Sequence, residues 1–165
     1  MWANGSMKIT LLTVGKIKER YLAMAIHEYS KRLGKYCKLS IAWVVDEKTP
    51  NKSNKAHDLQ IKDKEGERIL KLIPENAYVI SLAIDGEMLS SDLLAEKIAN
   101  LALNGTSHIV FIIGGSIGLS DEVLKRSDYQ LSFSKMTFPH QLMRVILLEQ
   151  IYRSYRIISK EPYHK

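Results

Sequence analysis

Leu131 to Ile158, LSFSKMTFPHQLMRVILLEQIYRSYRII, is the stretch whose reading decides the fold. A short strand-like piece passes into a loop of small and polar residues, Ser134 to Thr137. Pro139 then opens a long helix, at a position where the missing N–H costs nothing. At about 100° per residue, Glu149, Arg153 and Arg156 share one narrow polar face. Leu142, Val145, Leu148, Ile151, Tyr152 and Tyr155 spread over far more than one apolar stripe. A helix this apolar must be covered on two sides. Its own sheet accounts for one, and the other is assigned to a second subunit, with Leu148 facing either. Arg144 sits among the apolar residues, where a cation is costly unless it is paired or faces a negatively charged ligand.

Upstream of this stretch the apolar pattern alternates between short runs and helical spacing. Lys8 to Val14, Leu39 to Val45, Tyr78 to Ile84 and His108 to Ile113 read as strands, short and rich in β-formers. Glu19 to Leu33, Asp58 to Ile73 and a segment capped by Ser91 read as helices. Gly34 suits a left-handed cap, Asn104-Gly105 a helix stop, and Asp85-Gly86 a turn after the third strand. Asp46 to Lys55, DEKTPNKSNK, is a polar loop: an inert surface, or a basic arm for RNA phosphates. Repeated strand–helix–strand units give an α/β fold, a parallel sheet with helices on both faces. Directly after the fourth strand comes Gly114-Gly115-Ser116-Ile117-Gly118. Glycines there let backbone approach a ligand closely at the C-terminal edge of the sheet.

At 165 residues, with 45% hydrophobic and 25% charged residues, the chain reads as one soluble globular domain. Residues 1–6 have no pattern and read as an expression remnant, leaving 7–165 as the domain. No apolar run reaches the roughly 18 residues of a membrane span. The single Cys37 cannot form an internal disulfide, which suits a reducing, cytoplasmic compartment. The formal charge of +6 favours an anionic partner, nucleic acid before membrane, or is a solubility surplus.

Several chemistries fall away on spacing. The glycines run G-G-x-x-G, which is not a dinucleotide fingerprint, and no Gly-Lys-Ser/Thr follows them. Histidines at 27, 57, 108, 140 and 164 show no metal-ligand spacing, so no metal is expected. No G-x-S-x-G elbow is present. The residues alone leave open a non-catalytic RNA- or ribosome-binding module and a nucleotide-binding protein of Rossmann type.

Taken together, Gly114-Gly115-Ser116-x-Gly118-Leu119, Leu131 through His140, Met143-Arg144-Val145, Glu149-Gln150-x-Tyr152-Arg153 and Pro162-Tyr163-His164 resemble the SPOUT-class, trefoil-knot RNA methyltransferases. Within that class the likeness is to the small type that methylates N3 of a pseudouridine in 23S ribosomal RNA. It spans Met7 to Lys165 without a missing element. The resemblance implies a C-terminal trefoil knot, a homodimer packed through the knot and last helix, and S-adenosylmethionine as methyl donor. Cofactor contacts carried over by position are Leu82, Gly114, Phe133, Ser134, Lys135, Met136, Thr137 and Phe138. Arg153, Tyr163 and His164 are the implied catalytic residues, the tail completing the partner's site, with His140 and Arg144 on the RNA. The expected substrate is ribosomal RNA in the large subunit or whole ribosome, with no membrane involved.

Overall fold

The computed structural model describes residues 7–164. Five strands, β1 (Lys8–Val14), β2 (Lys38–Val44), β3 (Tyr78–Met88), β4 (His108–Ile113) and β5 (Tyr129–Ser132), form one sheet in the order β2-β1-β4-β3-β5. Every pairing is parallel. The helices are α1 (Arg20–Leu33), α2 (Lys55–Lys71), α3 (Ser91–Leu103), α4 (Asp121–Arg126) and α5 (His140–Ile158).

Alternation along the central strands divides the core. Ile9, Leu11, Ile109, Phe111 and Ile113 point to one face, against Leu33 of α1, Leu94 and Ile98 of α3 and Leu147, Leu148 and Ile151 of α5. Leu12, Val14, Val110 and Ile112 point to the other, against Ile69 of α2 and Val123 of α4. Near-continuous apolar runs belong to parallel strands because both faces are buried. Helices on both faces, as expected, follow from that.

Where the chain departs from its sequence pattern, a local cause is visible. Asp85-Gly86 is not a turn but lies inside β3, which runs on past a register shift after Leu82 to pair Glu87 and Met88 with β5. Gly86 is needed there because a Cβ would stand 2.6 Å from the Gln130 carbonyl oxygen. Gly34 is right-handed, at φ −56°, and satisfies its N–H on Lys31 and Ser30. Ser90, not Ser91, caps α3, its side chain accepting the Leu93 N–H at 3.1 Å. α2 begins earlier than its apolar spacing, because Asn54 accepts the His57 N–H at 2.8 Å. Pro139 is the N-cap of α5 rather than its first helical residue.

The largest correction concerns α5. It packs between α1 and α3 as well as on the sheet, so much of its second apolar side is covered by its own chain. Tyr29, Tyr36, Tyr152 and Tyr155 form one aromatic cluster, with Tyr36 stacked on Tyr155 at 5.5 Å. Leu148 is fully buried against the sheet. A charge there would cost several kcal/mol of folding and would not report on association.

Candidate active site

β3, β4 and β5 deliver three segments to the C-terminal edge of the sheet, where ligands bind in open α/β folds. They enclose a cavity of about 670 Å³. Its walls are Leu82 to Ile84 from β3, Ile113 to Leu119 after β4, and the run from Leu131 to His140 without Lys135 and closed by Met143. Seven of the eight expected cofactor residues therefore line it, and only Lys135 does not.

The glycine loop owes its shape to two close approaches. Gly118 N–H donates to Gly115 O at 3.1 Å, with Gly118 at φ +96°, a region glycine adopts without strain. A Cβ on Gly114 would stand 2.8 Å from the Gly118 carbonyl carbon. Opposite, Ser132 Oγ donates to Ser134 O at 3.1 Å and the Met136 N–H donates to Ser134 Oγ at 3.0 Å, so the loop is folded on itself. Met136 is nevertheless 73% exposed, which leaves its flexible thioether free to cover a ligand. Phe133 both packs on the core and lines the cavity.

His140 lines the cavity half-buried, and its pKa is lowered by burial first, then by Arg144 and Lys18 against the opposing charge of Asp46. It is expected to be neutral at neutral pH. Carbon-detected NMR should place its titration below the ordinary histidine value of 6.5, and a midpoint at or above that value would contradict this environment. Arg144 is 4% exposed. Its Nη2 donates to Val14 O at 2.8 Å, while its Nε has no partner among the described residues. Among the described residues no carboxylate pairs with the guanidinium, and burial lowers its pKa.

Arg153, Tyr163 and His164 do come together, but elsewhere. Glu149 Oε1 accepts from Arg153 Nη2 at 2.6 Å and from the Tyr163 hydroxyl at 3.1 Å. The Arg153 guanidinium lies 4.7 Å from the Tyr163 ring centroid. Burial, then Glu149, pushes the Tyr163 phenol up to about 12, so it is a donor and not a base at neutral pH. Arg153 Nη1 is 3.1 Å from His164 Nδ1. Guanidinium only donates, so Nδ1 accepts and the ring proton is on Nε2, which faces Asp92 at 3.5 Å. This cluster is 13 residues along α5 from His140, or roughly 20 Å at the rise of an α-helix.

Sequence reasoning missed Ala83, Ile84, Ile117, Leu119, Leu124 and Met143 as cavity walls. Met143 carried a signal, one helical turn after His140 on the same face. The others are apolar residues indistinguishable from core until the loops are placed. His108 is structural, 2.8 Å from Thr10 Oγ1. Among the described residues no cluster of three His, Cys, Asp or Glu could hold a metal.

A parallel sheet with a glycine loop and a helix-opening loop meeting over one cavity is the architecture of a known class of enzymes. The family model for predicted SPOUT methyltransferases matches residues 7–164. The chain belongs to that family and is a methyltransferase. It is 67% identical over 159 residues to the ribosomal RNA large subunit methyltransferase H of Bifidobacterium adolescentis, covering 96% of this chain and all of that one. The protein of the same name from Clostridium novyi is 61% identical over the same coverage. In fold the chain resembles a probable methylase family protein from Haemophilus influenzae, with a TM-score of 0.55 at 13% identity, covering 98% of this chain and 71% of that one. The parallel-sheet α/β SPOUT fold expected from the resemblance is the fold observed.

The family's methyl donor, S-adenosylmethionine, fits this cavity. Its volume is in the range of roughly 300 to 1,000 Å³ that holds ligands of this size. Leu82, Ile117, Leu119 and Phe138 supply apolar walls for an adenine, and the Gly114 to Gly118 backbone supplies donors and acceptors that no Cβ obstructs.

Proposed function

We propose that the protein methylates N3 of a pseudouridine in 23S ribosomal RNA, in the cytoplasm, as a homodimer whose two tails complete each other's cavities. The observation that carries this reading is the separation of the two halves of the site along α5. One chain holds a cofactor-sized cavity at the N-terminal end of the helix and the Arg153–Tyr163–His164 cluster, gathered on Glu149, further along it. The name of the relatives supports ribosomal RNA as the substrate, and the charge of +6 suits it.

Bound S-adenosylmethionine supplies an electrophilic methyl group; the chain's own residues do the rest. Leu82, Gly114 and the Phe133 to Phe138 segment, with Lys135 at its outer side, position the donor. His140 lines the cavity where RNA would enter, and Arg144, buried behind the wall, adds its positive charge beside His140. The N3 proton must leave, so stabilising the resulting anion is the main electrostatic task. The Arg153 guanidinium stabilises the anion, and His164 Nδ1 takes the proton once the substrate N3–H displaces Arg153 Nη1 from it. Tyr163 presents its ring to the base.

Methylation assays on purified large subunits and whole ribosomes, with the modified base identified by mass spectrometry, test the reading. Transfer to N3 of one pseudouridine is expected, and no transfer to either substrate would overturn it. For the dimer, sedimentation at micromolar concentration should give about twice the 18.8 kDa chain mass. The apolar surface α5 leaves open is centred on Leu142, 37% exposed, with Tyr21 of the adjacent α1 at 68%. Leu142→Glu should shift the protein to a monomer without unfolding it, since a charge there is desolvated only in the dimer.

A further inference from the structure

Glu65, on α2, is a buried carboxylate with no part in the chemistry above. It is 5% exposed and stands behind the cavity wall rather than in it. Its Oε2 accepts the backbone N–H of Glu47 at 3.0 Å. Its Oε1 is 3.3 Å from where a Cβ on Gly115 would stand, so the carboxylate lies against the glycine loop. The next residue, Gly66, abuts Ser120, where a Cβ would overlap the Oγ that caps α4. Consecutive residues of α2 thus support both ends of the 115–120 segment.

The same stretch of α2 also holds the chain that leaves β2. Arg68 donates to Glu47 Oε1 at 2.5 Å and to Val45 O at 2.8 Å. Between these anchors Asp46 packs on Gly15, its Cγ 3.5 Å from a Cβ position there, and its charge reaches His140 in the cavity wall. Burial raises the Glu65 pKa, opposed by the Glu47 backbone N–H and by Arg68 and supported by the charges of Asp46 and Glu47. A carboxylate so placed costs folding stability that an apolar residue of similar length would not.

We propose that Glu65 is a positioning residue of the methyl-transfer site, clamping the glycine loop and the 45–47 segment to α2 as one unit so that the cavity floor is set before cofactor arrives. The inference rests on the cavity being the S-adenosylmethionine site. Cofactor affinity by titration calorimetry and Tm by scanning calorimetry separate this role from simple packing. Glu65→Met is expected to melt at or above the parent and to bind S-adenosylmethionine at least about tenfold more weakly, because the loop is no longer pre-set. Glu65→Gln keeps an oxygen that accepts the Glu47 N–H and should stay within about threefold of the parent. Glu47→Pro removes the same hydrogen bond together with the Arg68 pair, so it is read against Glu47→Ala, which loses only that pair and keeps the N–H, and the two carry the test if Glu65→Met does not fold. Parental affinity in both Glu65→Met and Glu47→Pro would overturn the proposal, as would affinity losses that only track losses in Tm. A parent chain that binds no S-adenosylmethionine would overturn the cavity assignment and this inference with it, which is a different failure.

Discussion

Replacing His164 by Ala is expected to lower methyl transfer by about 10² to 10⁴ if it takes the N3 proton, while folding and cofactor affinity stay near those of the parent. The tail is anchored rather than frayed: Tyr163 is held by Glu149 and His164 by Arg153 and Asp92. Those anchors are side-chain contacts on the outer face of α5 and the start of α3. Their loss leaves the buried sheet and helices intact. The same collapse is expected on deleting Tyr163 to Lys165. Pro162 is better retained, because its carbonyl accepts from Arg156 at 2.6 Å. The deficit of His164→Ala should shrink as pH rises and the imide loses its own proton. Tyr163→Phe should cost far less, since a phenol whose pKa is pushed up to about 12 takes no proton at neutral pH. Arg153→Lys keeps the charge but loses the planar fork that now spans Glu149 and His164. An undiminished rate for it would argue for simple electrostatics over shaped recognition. A His164→Ala enzyme with parental rate across pH would remove the imidazole from the chemistry.

How much of this was legible before the structure depends on whether a feature is local. β1 and β4 match their apolar runs end to end, because a strand buried on both faces needs no partner information to be recognised. β3 runs beyond its apolar pattern, since its extension depends on β5 approaching Gly86, a tertiary contact that no spacing records. The excess apolar surface of α5 was visible, but its owner was not. Periodicity shows that a face must be covered and cannot say whether α1, α3 or another chain covers it. The cavity followed the same rule. Gly114 and Phe133 to Phe138 came from motif resemblance, whereas Ile117, Leu119 and Met143 became walls only once three loops had been folded together. Glu65 was invisible for the opposite reason, an ordinary charged residue in a charged helix until burial set it against Gly115.

Mixing two inactive chains is expected to restore methyl transfer, and the geometry of α5 says which pair. Tyr163 to Lys165 deleted from one chain leaves its cavity whole. In the other, Gly114→Val places a Cβ 2.8 Å from the Gly118 carbonyl carbon and spoils the cofactor loop while the tail remains. Each homodimer lacks one half of both its sites. In the heterodimer the first chain's intact cavity receives the second chain's intact tail, so one complete site forms only if the halves are exchanged between subunits. A tail held by Glu149 and Asp92, as here, is anchored on residues outside the walls of its own cavity. Co-expression with two affinity tags isolates the heterodimer, and the rate is read on large subunits with saturating S-adenosylmethionine. Leu142→Glu in both chains should abolish the rescue by preventing assembly. Inactive heterodimers, with each parent shown to be folded, would mean that the tail acts elsewhere than in its partner's cavity.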